Sequence, residues 1–189
     1  SLTRMKPECI LNGTFGPDLI AFAREGATRG FFEKFQVASV LSGEPEYLDP
    51  LGEDTPKGWW VTGYAWEEDD RPAHKKFRED YMARYKTYPR FGSLIGYVTI
   101  QAIAAGIERA GGTDTEKMIQ GLRGAKWESP VGQIEMRAAD HQSTLGSWLG
   151  QLDVKNGKGV MTNWSWVDGK DSLPPPEVSR ARRPAGSSD

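Results

Sequence analysis

Cysteine is almost absent from this chain: Cys9 is the only one in 189 residues. No intrachain disulfide can form, no cysteine cluster can hold a metal, and cysteine usage gives no reading of the redox compartment. Histidine is nearly as scarce, with His74 and His141 alone. A hydrolytic triad would need one of them beside a nucleophile and an orienting carboxylate. Ser129, Ser143 and Ser147 stand in no Gly-x-Ser-x-Gly context, so no residue set supports a hydrolase, and both histidines read as structural or exposed. An excess of one charge is missing as well. With 24 basic against 26 acidic residues the net charge is -2, too small a field to draw nucleic acid or an anionic membrane over long range. The expected partner is a small molecule or a protein, and no nucleic acid. No basic segment followed by an apolar one opens the chain, and no apolar run reads as long enough to span a bilayer.

What is present is an ordinary globular composition. A hydrophobic content of 38% with 11% aromatics supports a core, and the length suits one domain or parts of two. Such a chain should be globular and soluble. Residues 8–12 read as a short strand that ends at Gly13. Pro17 then opens a helical pattern with Leu19, Ile20, Phe22, Ala23 and Ala27 on one side and Gly30 as its stop. Residues 35–40 read as a second strand, which makes a βαβ unit of parallel type. A polar loop with Gly43 and Pro45 follows, and residues 59–66 read as a third strand. The acidic run Glu67, Glu68, Asp69 and Asp70 announces a helix over 72–86, with Phe77, Tyr81 and Tyr85 at four-residue spacing toward the core. Residues 92–110 form the most apolar helix, and Thr113 with Glu116 reads as a capping box for a short helix through Leu122. Beyond Trp127 the period changes to two, giving strands at 133–137, 147–154 and 160–167 and a hairpin turn at Asn156-Gly157. The proline-rich tail from Leu173 should be mobile or strapped along a surface.

Few constellations rise above their plain readings. Asn12-Gly13-Thr14-Phe15-Gly16 lies where a parallel strand turns into a helix, at the sheet edge where ligands commonly bind, and its N–H groups could take a carboxylate or phosphate oxygen. The plain reading is a glycine-softened turn. It is neither a P-loop nor a full dinucleotide fingerprint. Phe91, after the loop Thr87-Tyr88-Pro89-Arg90, is either an aromatic wall of a pocket or a hydrophobic staple. Trp59, Trp60, Tyr64 and Trp66 form an aromatic strand, mostly packing, with Tyr64 and Trp66 on one face where one could border a cleft. The acidic run reads as a solvated helix start and not as a metal site.

Three stretches carry a resemblance to a known family. They are NGTFGPDLIAFAREGATRG near the start, the run from Tyr64 to Gly124, and SPVGQIEMRAADHQ near the end. Together they resemble the extracytoplasmic solute-binding proteins of branched-chain amino acid type ABC transporters, the type I periplasmic binding protein group. The resemblance implies an α/β fold made of parts of two flavodoxin-like lobes with a C-terminal β-hairpin. By it, residues 1–63 are the first part of ligand-binding lobe II, 64–124 complete lobe I, 125–172 return to lobe II, and 173–189 are the tail. It implies that the chain begins partway through a two-lobed receptor on the periplasmic or extracellular face. The function implied is capture of a small organic solute without catalysis and without a cofactor.

The partners implied are that solute, an ABC permease, and either the complementary N-terminal half or a swapped homo-oligomer. Thr14, Phe15, Gly16, Leu41, Tyr64 and Phe91 are the ligand-binding residues it suggests, and no metal ligand. Where amino-acid-binding members place an acid for the ligand ammonium, this chain has Val40-Leu41-Ser42, with Glu44 or Glu46 as substitutes if the register differs. A buried ammonium without a counter-charge is costly, which favours an apolar or aromatic acid or an amide over a zwitterion. Arg24, Arg29, Lys75 and Arg78 read as solvated surface or permease contact. A ligand-sensing module of the same fold and an α/β enzyme are the competing readings.

Overall fold

The computed structural model describes residues 2–5 and 7–182; the end of the expected tail, 183–189, lies outside the described residues. The chain runs α1 (Leu2–Met5), β1 (Cys9–Asn12), α2 (Gly16–Thr28), β2 (Gln36–Gly43), α3 (Pro45–Leu51), a 3-10 turn (Gly52–Asp54) and β3 (Trp60–Gly63). It continues with α4 (Pro72–Tyr85), α5 (Phe91–Ala110), α6 (Thr115–Leu122), β4 (Lys126–Ser129) and β5 (Gly132–Glu135). The hairpin β6 (Ser147–Lys155) and β7 (Lys158–Val167) follows, then α7 (Gly169–Ser172) and α8 (Pro176–Ala181). The fold is mixed α/β, as expected. Two compact units share it. Of the described residues, one unit holds those in 2–69, 89–91 and 147–166, and the other holds 70–88, 92–146 and 167–182.

The first unit is built on a five-stranded sheet in the order β1-β2-β3-β6-β7. β1, β2 and β3 are parallel, with Leu11 opposite Ala38 and Ala38 opposite Trp60, and β6 returns antiparallel to β3, with Val61 opposite Gly150. Side chains alternate across a strand, so the buried Val37, Ser39, Val61, Trp148 and Leu152 share one face. α2 covers that side through Leu19 and Ala23, with Phe22, Phe31, Phe32 and Trp59 stacked edge to face beside them. The opposite face is open. Leu11 is 79% exposed and Trp60 46%, and Val40 and Leu149 are exposed beside them. Parallel sheets are ordinarily covered on both faces, so this surface is unusual for its class.

Several expectations for this unit need correction. The stretch read as a polar loop after β2 contains α3, opened by Pro45 in its first turn, where the missing N–H costs nothing. β3 ends at Gly63, so Tyr64 and Trp66 lie beyond the strand and its alternation does not place them on one face. The acidic run is not all solvated: Asp69 is buried and accepts the Trp148 indole N–H at 3.1 Å, while Glu68 accepts that of Trp164 at 3.0 Å. The hairpin turn stands as expected, with Asn156 at φ 51° and Gly157 at φ 75°.

In the second unit α4 buries His74 and Phe77, but Tyr85 is 55% exposed and stacks on Tyr81 instead of entering the core. α5 buries Leu94, Val98 and Gly106, while Tyr97, Ile100 and Ile103 are exposed. By length and composition alone α5 could cross a membrane, contrary to the reading that no such run exists. The cap of α6 is Asp114 and not Thr113; its carboxylate accepts the Lys117 N–H at 3.0 Å. A strand unforeseen from the sequence, β4, pairs antiparallel with β5, Trp127 opposite Ile134. The tail is helical at α8, where the buried Ser179 hydroxyl accepts from Arg137 at 3.3 Å.

Candidate functional site

All six residues singled out from the sequence, Thr14, Phe15, Gly16, Leu41, Tyr64 and Phe91, belong to the first unit. Thr14 to Gly16 follow β1, Leu41 lies near the end of β2, Tyr64 follows β3, and Phe91 opens α5 against Tyr64. All therefore stand by the carboxyl ends of the parallel strands, where strands give way to helices and backbone N–H groups point outward. Asn12, the last residue of β1, is buried and donates from Nδ2 to the Ser39 hydroxyl at 2.8 Å. Its Oδ1 accepts the Thr14 hydroxyl at 2.9 Å and the Thr14 N–H at 3.3 Å. The Ser39 hydroxyl is also hydrogen-bonded to that of Ser42, which is buried too. A polar line therefore runs from the loop after β1 into β2. Every link in it satisfies a group that would otherwise be buried alone, a cost of about 1–3 kcal/mol each.

The loop itself is open. Thr14 is exposed, and Phe15, in the extended conformation that precedes α2, is 48% exposed. Gly16 has φ 57°, a conformation that a side chain would strain, and its N–H meets the Tyr47 hydroxyl at 3.4 Å. Leu41 is a non-glycine residue at φ 60°, set where the β2–β3 register shifts between Ser39 and Gly43, and its N–H is held by the Thr62 hydroxyl at 2.8 Å. Such outliers persist only where the surroundings over-determine them. Tyr64 is 1% exposed and packs between Phe91, 6.2 Å away, and Trp148, 5.0 Å away. Phe91 is half-buried at the start of α5, and its N–H donates to Glu46 Oε2 at 3.3 Å.

The structure thus forms two subgroups, Thr14 to Gly16 and Tyr64 with Phe91. α3 connects them, because Tyr47 touches Gly16 and Glu46 holds Phe91. Sequence reasoning placed Asn12 and Ser42 in candidate stretches without joining them, and it missed Ser39 and Tyr47 as parts of this arrangement. The signal available was Ser39 and Ser42, polar residues inside an otherwise apolar strand. Glu44, between β2 and α3, is 7% exposed, and burial, with the neighbouring Glu46 carboxylate adding to it, pushes its carboxyl up to about 8. Chemically the site offers hydroxyls, backbone N–H groups, one acid that is neutral near pH 7, and aromatic walls. Such groups can bind an organic solute through its polar and apolar parts.

A family model described as periplasmic binding protein matches residues 2–158. Solved structures agree in fold. An amino acid ABC transporter substrate-binding protein from Pseudomonas fluorescens Pf-5 superposes with a TM-score of 0.76 at 18% identity over 94% of this chain and 48% of its own. A solute-binding protein of an ABC transporter from Rhodopseudomonas palustris BisB5, in complex with 3,4-dihydroxy benzoic acid, gives 0.72 at 19% identity over 89% and 47%. A leucine-binding protein from Thermotoga maritima MSB8 gives 0.71 at 23% identity over 90% and 47%. The chain spans about half the length of these structures, at 47–48% of each. With more than half of its residues matched by the family model, the chain belongs to the periplasmic binding protein family.

Proposed function

We propose that this chain is part of the solute-binding component of an ABC uptake transporter, acting at the periplasmic or extracellular face. It captures a small organic solute (an amino acid, an amide or an aromatic acid) and presents the bound form to a membrane permease. The observation that carries this reading is the open carboxyl end of β1 and β2, where a satisfied polar line, Asn12 to Ser39 to Ser42, backs an exposed loop. The Thr14 hydroxyl and the N–H groups opening α2 suit a carboxylate oxygen, and Phe15 an apolar or aromatic body. The solutes named for the neighbours above, leucine and 3,4-dihydroxy benzoic acid, both carry a carboxylate.

In this reading 1–63 and 125–172 belong to lobe II and 64–124 to lobe I. Solute then stabilises a closed arrangement of lobes by bridging them, which is capture without chemistry. The complementary half, or failing that a swapped copy of this chain, covers the open sheet face. The test is a thermal-shift screen of the purified protein against amino acids, amides and aromatic acids, with extraction of any co-purified small molecule. One solute class should raise the melting temperature by about 4 °C or more at a hundredfold excess over Kd. Phe15→Ala should weaken binding roughly tenfold without moving the ligand-free melt, whereas Thr14→Ala should weaken binding and also lower that melt, because its hydroxyl is bonded to Asn12. A screen in which no class shifts the melt, or turnover of any of these compounds, overturns the reading.

A further inference from the structure

Glu44 is the one feature of the site that the fold does not explain. It occupies the position before α3, where Ser, Thr, Asp or Asn would cap the helix, but its side chain caps nothing. Its backbone carbonyl accepts the N–H groups of Tyr47 and Leu48 at 2.9 and 3.0 Å, so the backbone is satisfied. The side chain is more than nine-tenths buried, and among the described residues its Oε1 has no hydrogen-bond partner. A buried polar atom left unpaired costs about 1–3 kcal/mol and calls for a reason.

Among the described residues no ion pair to Glu44 is seen, and the charged and titratable groups on the neighbouring elements have partners of their own. On α3, Glu46 receives the Phe91 N–H, Tyr47 receives the Gly16 N–H, and Asp49 is paired with Arg90 at 2.8 Å. On β2, Ser39 and Ser42 are bonded to each other. Beyond β3, Tyr64 packs between Phe91 and Trp148, and its backbone N–H holds the Gly43 carbonyl at 3.1 Å. Glu44 therefore stands in the chain between the polar line and the aromatic pair, its Oε1 without a hydrogen-bond partner among the described residues.

We propose that Glu44 is a specificity-determining residue of the solute site, meeting the solute as a neutral carboxylic acid whose O–H donates to a solute oxygen, and so selecting carboxylates or amides over solutes that place an ammonium there. This rests on the solute-binding reading above. An ammonium solute would instead require Glu44 to ionise and release its proton to water near neutral pH. A carboxylate or amide oxygen takes the existing O–H and releases none.

The donor is present below about pH 8 and lost above it. The stability consequence has the same sign. The folded carboxyl titrates above its ordinary 4.5, so stability is highest below that value and declines as pH rises through about 8. Glu44→Gln keeps a donor of the same shape and cannot titrate. Its ligand-free melt should stay flat from about pH 5 to about 9, where that of the parent falls, which also shows that the variant folds.

The deciding experiment is calorimetric titration with 4-hydroxybenzoate and with leucine, in buffers of different ionisation enthalpy, on the parent protein, Glu44→Gln and Glu44→Ala. The expected result is binding of 4-hydroxybenzoate without proton release at neutral pH. Its affinity should fall roughly tenfold per pH unit above about 8, a dependence absent in Glu44→Gln, and at least tenfold in Glu44→Ala. Preferred binding of leucine with release of about one proton, abolished in Glu44→Gln, would overturn the proposal by making Glu44 an ammonium acceptor. Unchanged binding in both variants would overturn it by making the acid purely structural. If neither probe nor any solute of the wider screen binds, the solute-binding reading itself has failed, and the assignment of Glu44 falls with it.

Discussion

Arg137 and Asp140 show what a single ion pair contributes to this fold. Arg137 donates to both carboxylate oxygens of Asp140 and to the Ser179 hydroxyl, the Gln142 N–H reaches Asp140 at 3.2 Å, and His141 between them turns with φ 56°. The Asp140 side chain is 2% exposed, and the Arg137 guanidinium holds its carboxyl well below the usual carboxylate range. A lowered carboxylate contributes stability that is fully present above about pH 4 and is lost as pH falls through its folded value. Asp140→Asn should therefore lower the melting temperature at pH 7 by about 5 °C and flatten the acid limb of a melting-temperature-versus-pH series. A variant that melts like the parent at pH 7 would show that the pair is idle. Little of this was legible in the sequence. Asp140 lies in a stretch that carried the family resemblance, but nothing in the spacing of Arg137 and Asp140 says that a serine near the far end of the chain will join them. The same holds for Glu44: its type and position were visible, whereas its burial without a partner is a property of packing.

At the scale of elements, β2 and β3 approach each other closely at a pair of glycines. Gly43 and Gly63 are paired across the two strands, and a Cβ on Gly63 would overlap the Gly43 backbone. Gly63→Ala should destabilise by about 1–3 kcal/mol, read as a shift in denaturant midpoint with an unchanged slope, because the obstruction is backbone and cannot rotate away. The βαβ start, α4, α5 and the β6–β7 hairpin were readable because each has a sustained period or a turn of fixed chemistry. α3 was not. It is short, lacks a capping side chain and contains Pro50 as well as Pro45, so local signals favour a loop, and its burial of Leu48 and Leu51 decides otherwise. Its loss from the sequence reading also hid the connection between the two halves of the candidate site. β4 was missed for a similar reason, since four residues are too few to establish an alternation.

The whole molecule leaves apolar surface uncovered in each unit. In the first it is the sheet face with Leu11, Val40, Trp60 and Leu149; in the second it is the side of α5 with Tyr97, Ile100 and Ile103. Contiguous apolar surface of this kind marks a site of association. Light scattering across a dilution series should show self-association of the chain at micromolar concentration. A cooperative monomer at all concentrations would refute this. The pairing of β3 with β6 has one more consequence. Gly63 lies opposite Trp148, so everything in residues 64–147 is a loop that must close before the sheet can be completed. Closing so long a segment carries an entropic cost that grows slowly with its length, and structure that forms early within the segment shortens the effective span. A single peptide-bond cut there would leave the folded contacts in place and yet turn the joining of β3 to β6 into an encounter between two molecules, so that refolding, once unimolecular, would depend on concentration.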